Sequence, residues 1–135
     1  MKYLIFLLVT LVFASQAFAQ SDEEFDCSKP DDLPQMGLNF CADEDFEAAD
    51  IKLNEIWVEV RYKIRANETE VEEFKGWFDI ALTAQRQWLT YRDTQCDAEG
   101  FSFNGGSMQS MVVSGCKSRM TEARTQELRQ MLEQQ

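Results

Sequence analysis

The chain has 135 residues, with 24 acidic and 13 basic side chains, and its formal net charge is −11 at pH 7. This charge disfavours nucleic acid and anionic membrane surfaces as partners, whereas it favours solubility and fast association with a basic protein. The sequence contains no histidine, which excludes catalysis by Ser-His and Cys-His pairs.

Residues 1–19 have the pattern of a secretory signal peptide. Lys2 is followed by an apolar run over residues 3–14 and by the small-residue site A-F-A at residues 17–19. The apolar run is too short for a good membrane span, and the residue directly after the predicted cleavage site is not a cysteine that could carry a lipid. We therefore expect a mature chain without a membrane anchor, located in the periplasm or outside the cell.

Residues 20–42 form an acidic segment that contains both prolines of the chain, Pro30 and Pro34. This composition predicts a turn-rich arm that would be disordered without a covalent tie. Residues 43–135 are predicted to form one helical domain, because a mature chain of this length suits a single core.

The first long helix is predicted over residues 43 to about 66. Its first turn is acidic, which the helix dipole favours. Apolar residues recur at helical spacing and define a buried stripe: Phe46, Ala49, Leu53, Ile56, Trp57, Val60 and Ile64. Asp50 lies at the edge of this stripe.

A second long helix is predicted over residues 70–97, with Gly76 as a weak point. The short connection before it predicts an antiparallel hairpin with the first helix. One face is apolar: Phe74, Phe78, Ala81, Leu82, Trp88, Leu89 and Cys96. Gln85 and Arg92 fall in the middle of this same face, so each is expected to have a buried hydrogen-bond partner.

A third helical stretch is predicted over residues 107 to about 132, with Ser107 as its N-cap. It is expected to be one bent helix, or two nearly collinear helices of which Thr121 caps the second. Its predicted inner face is Met108, Val112, Cys116, Met120, Ala123, Glu127 and Met131, and Arg124 lies within the same arc. The fold class is therefore all-α, an antiparallel helical hairpin that is covered by a third helical stretch and bridged by disulfides.

Four cysteines in a chain predicted to reach an oxidising compartment indicate two disulfides. Of the three possible pairings we favour Cys27–Cys41 and Cys96–Cys116, because each pair closes a loop that contains turn-forming residues. A zinc site is the alternative, and the lack of histidine and of C-x-x-C spacing argues against it. We predict no metal and no cofactor.

Five polar residues are predicted to face the interior: Asp50, Gln85, Arg92, Arg124 and Glu127. One interpretation is a catalytic carboxylate pair with cationic helpers, as in a glycoside hydrolase. The other is a structural network, in which Arg92 joins facing helices through Asp50 or Glu127. We favour the structural network and expect no enzymatic activity.

The connection after the second helix carries aromatic residues where a turn is usually polar. Its candidate partner-contact residues are Glu99, Phe101, Phe103 and Asn104. The proposed Cys96–Cys116 bridge would hold this loop, and exposed rings would form an anchor for a protein partner. The alternative is that both rings pack on the core.

Two sequence blocks carry a family resemblance. Residues 84–96 read A-Q-R-x-W-x-x-Y-R-D-x-x-C, and residues 121–128 read T-x-x-R-T-x-E-L. Together they resemble the LprI-type lysozyme inhibitor family, over about residues 27–128. The recurrent residues of that family match Asp50, Gln85, Arg86, Trp88, Arg92, Asp93, Thr121, Arg124 and Glu127.

The resemblance implies a secreted, mostly helical and cysteine-bridged protein that binds a basic lysozyme or another wall-degrading enzyme. Two other classes of function stay open. One is an interaction or immunity protein against a different wall-degrading enzyme, or an envelope protein without an inhibitory role. The other is a glycan hydrolase that uses the interior carboxylates.

Overall fold

Three long helices account for most of residues 25–134, the part of the chain that the computed structural model describes. They are α1 (Gln35–Glu70), α2 (Trp77–Glu99) and α3 (Gln109–Glu133), with single 3-10 turns at Pro30–Asp32, Glu72–Phe74 and Gly100–Phe103. Residues 25–134 contain no strand, so the predicted all-α class is confirmed. The predicted signal peptide lies outside the described residues.

Contacts between the helices define their directions. The backbone N–H of Phe78, at the start of α2, donates to Oε1 of Glu68, near the end of α1, at 2.8 Å. Farther along, Arg92 of α2 donates to Asp50 of α1 at 2.9 Å, so α2 runs back along α1 and the two helices are antiparallel, as the predicted hairpin requires. Helix α3 runs parallel to α1, because Asn39 Nδ2 donates to the carbonyl of Ser107 at one end and Lys63 Nζ donates to the carbonyl of Leu132 at the other.

The apolar core lies mainly between α1 and α3. Leu53, Val60 and Leu128 are almost completely buried, and Ile56 and Ile64 extend the cluster along α1. Burial of one such side chain contributes about 1.5–3 kcal/mol to folding. The stripe predicted for α1 is therefore the face that it buries.

Helix α3 buries a face different from the predicted one. Its buried side chains include four hydroxyls, which belong to Ser114, Ser118, Thr121 and Thr125. Ser114 donates to a carboxylate oxygen of Asp43, and Thr125 donates to the carbonyl of Thr121 at 2.9 Å. Small hydroxyl side chains allow close helix packing, and they can be buried when they donate hydrogen bonds to neighbouring oxygens. The apolar pattern therefore predicted the wrong face of α3 as buried.

As a consequence, Glu127 and Ala123 of the predicted inner face are exposed. Thr121 lies inside a continuous helix and caps nothing. The residue that precedes α3 is Met108, and Ser107 is not its N-cap.

Helix α1 begins about two turns earlier than predicted, directly after Pro34. Phe25 packs against this early segment: its ring centroid lies 5.7 Å from that of Phe40, and its Cδ1 lies 2.8 Å from where a Cβ on Gly37 would be. Packing of Phe25 on this segment stabilises the additional turns of α1. The predicted arm, residues 20–42, therefore ends earlier than expected, at Pro34. Asp43 consequently lies inside the helix and not in its first turn.

Helix α2 begins at Trp77, later than predicted, because Gly76 adopts a left-handed conformation with φ of 89°. A chain of L residues cannot continue a right-handed helix through this conformation at low cost. Residues 72–74 form a separate 3-10 turn instead.

Both predicted disulfides are confirmed. The Cα atoms of Cys27 and Cys41 lie 5.5 Å apart and those of Cys96 and Cys116 lie 5.4 Å apart. The first bridge ties the arm to α1, and the second joins α2 to α3 at the base of the loop between them. Among the helices that the structure describes, none is both long and apolar enough to cross a membrane.

Two glycine-to-alanine variants are expected to change the free energy of unfolding in opposite directions. Gly76→Ala should lower it by about 1 kcal/mol, because the left-handed backbone strains an L residue. Gly115→Ala should raise it by about 0.5–1 kcal/mol, because alanine is the better residue inside a helix and an added Cβ would meet only Nη1 of Arg119, at 4.0 Å. Urea unfolding measures both, and changes of equal sign would contradict this account.

Candidate functional site

Arg92 of α2 is buried and links all three helices. Its Nη1 donates to Oδ1 of Asp50 on α1 at 2.9 Å and to Oγ1 of Thr121 on α3 at 3.2 Å. Its Nε donates to Oδ1 of the adjacent Asp93 at 2.9 Å. The guanidinium carbon also lies 5.0 Å from the ring centroid of Phe46. These contacts satisfy a charge that would otherwise be costly to bury.

A second cluster surrounds Arg124 of α3. Its Nε donates to Oε1 of the buried Gln85 at 3.0 Å, and its Nη1 donates to Oε2 of Glu127 at 2.8 Å. The ring of Trp88 joins the two clusters, since the guanidinium carbons of Arg92 and Arg124 lie 5.5 and 5.8 Å from it. Cation–π attraction adds to the hydrogen bonds at this distance.

The five predicted interior residues thus fall into two clusters and not one. Asp50 pairs with Arg92, whereas Glu127 pairs with Arg124 and points toward solvent. A glycoside hydrolase needs two carboxylates on either side of one bond. Here each carboxylate is held by a different guanidinium. The Asp50–Arg92 pair joins α1 to α2, whereas Glu127 and Arg124 both lie on α3, and Arg124 reaches α2 through Gln85.

The five predicted interior residues leave out four members of this network: Phe46, Trp88, Asp93 and Thr121. Two of them could have been found from the sequence. Asp93 directly follows Arg92, and Thr121 begins the T-x-x-R block that also contains Arg124. Among the described residues, no group of three or more Cys, Asp and Glu side chains could hold a metal ion.

The loop between α2 and α3 presents an aromatic side chain to solvent. Phe101 is 77% exposed, so its ring does not pack on the core, and Phe103 is also exposed. Glu99 pairs with Nη2 of Arg119 at 2.9 Å. The backbone N–H of Asn104 donates to the carbonyl of Phe101 at 3.1 Å, which closes the turn.

The base of this loop is tightly packed. Gly100 is buried, and a Cβ at this position would lie only 2.6 Å from Cγ2 of Val113. The backbone N–H of Gly105 donates to Oε1 of Gln109 at 3.1 Å. Together with the Cys96–Cys116 bridge, these contacts hold the backbone of the loop, from which the Phe101 ring extends into solvent.

The fold and the interior clusters define a class of small disulfide-bridged helical domains, in which arginine side chains join the helices. A family model described as lysozyme inhibitor LprI matches residues 27–128, the region that contains both clusters and both disulfides. The chain therefore belongs to the LprI lysozyme inhibitor family, and the resemblance inferred from its two sequence blocks is confirmed.

A relative is similar to this chain along most of the length of both proteins. It is an uncharacterized protein of Rhizobium meliloti (strain 1021), which is 40% identical over 131 residues, and the match covers 94% of this chain and 92% of the relative. No solved structure matches the chain significantly.

Proposed function

We propose that this protein is secreted to the periplasm or beyond the cell, where it binds and blocks a basic muramidase without catalysis. The observation that carries the proposal is the exposed Phe101 ring, held on a rigid loop of an acidic member of a lysozyme inhibitor family. The predicted signal peptide and the two disulfides are consistent with an oxidising compartment.

The charge of the chain supports a basic partner. A net charge of −11 attracts a positively charged enzyme over a distance of about one Debye length, which is about 8 Å at physiological ionic strength. Exposed Asp97 and Glu99 place carboxylates in the last turn of α2, next to the Phe101 loop, and Glu99 shares its charge with Arg119. Charges near an anchor of this kind raise the association rate and select against acidic partners.

The loop supports a mechanism by steric block. An aromatic ring that fills a pocket of the partner is typical of the few residues that carry most of the binding energy of an interface. Because the Cys96–Cys116 bridge and the buried Gly100 already fix the loop, binding loses little conformational freedom. Inhibition in this mechanism needs no reacting group on the inhibitor and leaves the inhibitor intact.

The test is calorimetry and a lysis assay with the mature chain, residues 20–135, and basic lysozymes of several types. We expect a dissociation constant in the micromolar range or lower, and inhibition of cell-wall hydrolysis over the same concentration range. The dissociation constant should rise roughly tenfold or more between low and high salt. An acidic wall hydrolase serves as the control and should not bind. If the chain binds no lysozyme of any type, the proposal is wrong. If the protein alone cleaves cell wall, it is an enzyme and not an inhibitor.

A further inference from the structure

An apolar groove lies at the end of the bundle opposite the Phe101 loop, where α1 ends, α2 begins and α3 ends. Its volume is about 680 Å³. Its apolar lining residues are Ile64, Phe74, Trp77, Ile80, Ala81 and Met131. Phe74, Trp77 and Ile80 are each more than one third exposed. A contiguous cluster of exposed large apolar side chains is typical of an interaction site.

The groove is held in shape by contacts behind it. Gly76 makes the left-handed turn that separates Phe74 from α2. Immediately after this turn, the backbone N–H of Phe78 donates to Glu68, and the guanidinium of Arg65 lies 3.7 Å from the centre of the Phe78 ring. The aromatic wall is therefore preformed and does not need to be ordered by a partner.

The segment that forms the aromatic wall of the groove is acidic. Residues 68–79 carry five carboxylates: Glu68, Glu70, Glu72, Glu73 and Asp79. Glu68 accepts the backbone N–H of Phe78, whereas Glu70, Glu73 and Asp79 are exposed, and the exposed carboxylates of this segment are called the rim. Lys75 is the basic residue of the same segment, and it pairs with Glu72 at 2.6 Å. This charge disfavours an anionic lipid surface, and it disfavours a second copy of the chain, because two identical acidic rims would face each other.

We infer that this groove binds a cationic amphipathic helix of a partner protein. The apolar face of such a helix would pack on Trp77, Phe74 and Ile80, and its Lys or Arg side chains would pair with the carboxylates of the rim. An open groove with exposed walls fits a helix laid along it, whereas a small molecule is usually enclosed by its site. This surface is separate from the Phe101 loop and does not depend on inhibition of a muramidase.

The probe is a labelled amphipathic peptide of leucine and lysine, about 18 residues long, whose binding is measured by fluorescence anisotropy. We expect Ile80→Lys to weaken binding roughly tenfold or more, because it removes an apolar contact and places a like charge in the groove. The matched control is Ile51→Lys on α1, an isoleucine of similar exposure (60%, against 58% for Ile80) outside the groove. Both variants change the net charge equally, so any difference between them reports the groove.

Four further results test the inference. A scrambled peptide of the same composition should bind roughly tenfold more weakly, and equal binding would reduce the effect to bulk charge and overturn the inference. Equal loss of binding in the two lysine variants, or preferential binding of vesicles of anionic phospholipid, would also overturn it. The Ile80→Lys variant should inhibit lysozyme as well as the wild type does. Loss of peptide binding by the groove and loss of lysozyme inhibition are therefore distinguishable outcomes.

Discussion

Replacing Arg92 by methionine is expected to lower the free energy of unfolding by about 3 kcal/mol. Breaking a buried ion pair by removal of one partner costs roughly 3–5 kcal/mol, because the other partner stays buried without compensation. The carboxylate side chain of Asp50 is 36% exposed and can be hydrated after the change, which places the expected loss at the lower end of that range.

Thr121 accounts for part of this loss. Its side chain is completely buried, and its hydroxyl oxygen accepts a hydrogen bond from Arg92. Methionine fills much of the space of the arginine stem and donates no hydrogen bond, so the hydroxyl loses this partner. A buried polar group left in this way costs about 1–3 kcal/mol.

The matched control is Arg86→Met, the same substitution on the same helix at an exposed position. Its effect should stay within about 0.5 kcal/mol, as is usual for surface positions. Urea unfolding with a constant m-value gives both numbers. If the two variants lost stability equally, the contacts of Arg92 with α1 and α3 would contribute nothing, and the structural interpretation of the network would be wrong.

The two polar residues of α2 were predictable because helical periodicity fixes a face within one helix. Gln85 and Arg92 share the face that contains Cys96, and all three are buried. The partner of Arg92 was not predictable in the same way. A choice between Asp50 and Glu127 requires the axial positions of α1 and α3 relative to α2, and these depend on packing across the whole bundle.

Helix α3 shows where apolar patterning fails. Its inner face contains Ser114, Ser118, Thr121 and Thr125, residue types that are usually exposed. Their hydroxyls are satisfied by acceptors that include Asp43 of α1 and the α3 backbone. The face that α3 buries depends on the acceptors that α1 offers to it. A single sequence does not show which acceptors will lie opposite a helix, so this face could not be predicted.

The groove was missed for a different reason. Gly76 was expected inside a helix, which would have placed Phe74 and Trp77 on one continuous surface of α2. The left-handed turn at Gly76 separates them, and the two rings form a wall above α1 and α3. The conformation of one glycine therefore creates a surface that helical periodicity cannot describe.

Phe101→Ser is expected to weaken inhibition of a basic lysozyme by roughly tenfold or more. The substitution removes an aromatic ring that is 77% exposed and that makes no contribution to the core. Loss of a central aromatic anchor costs about 2 kcal/mol or more in a protein interface, which corresponds to a factor of about 30 in affinity. Stability should stay within about 0.5 kcal/mol of the wild type, because the ring is outside the core.

Tyr62→Ser is the matched control for Phe101→Ser. Tyr62 is 78% exposed on α1, so the variant loses a ring of similar size and exposure far from the loop. Neither substitution changes the net charge at pH 7, so electrostatic steering and the association rate should be the same in both variants. The loss in Phe101→Ser should therefore appear as faster dissociation, which surface plasmon resonance measures directly. Equal dissociation rates in the two variants would place the contact surface away from this loop.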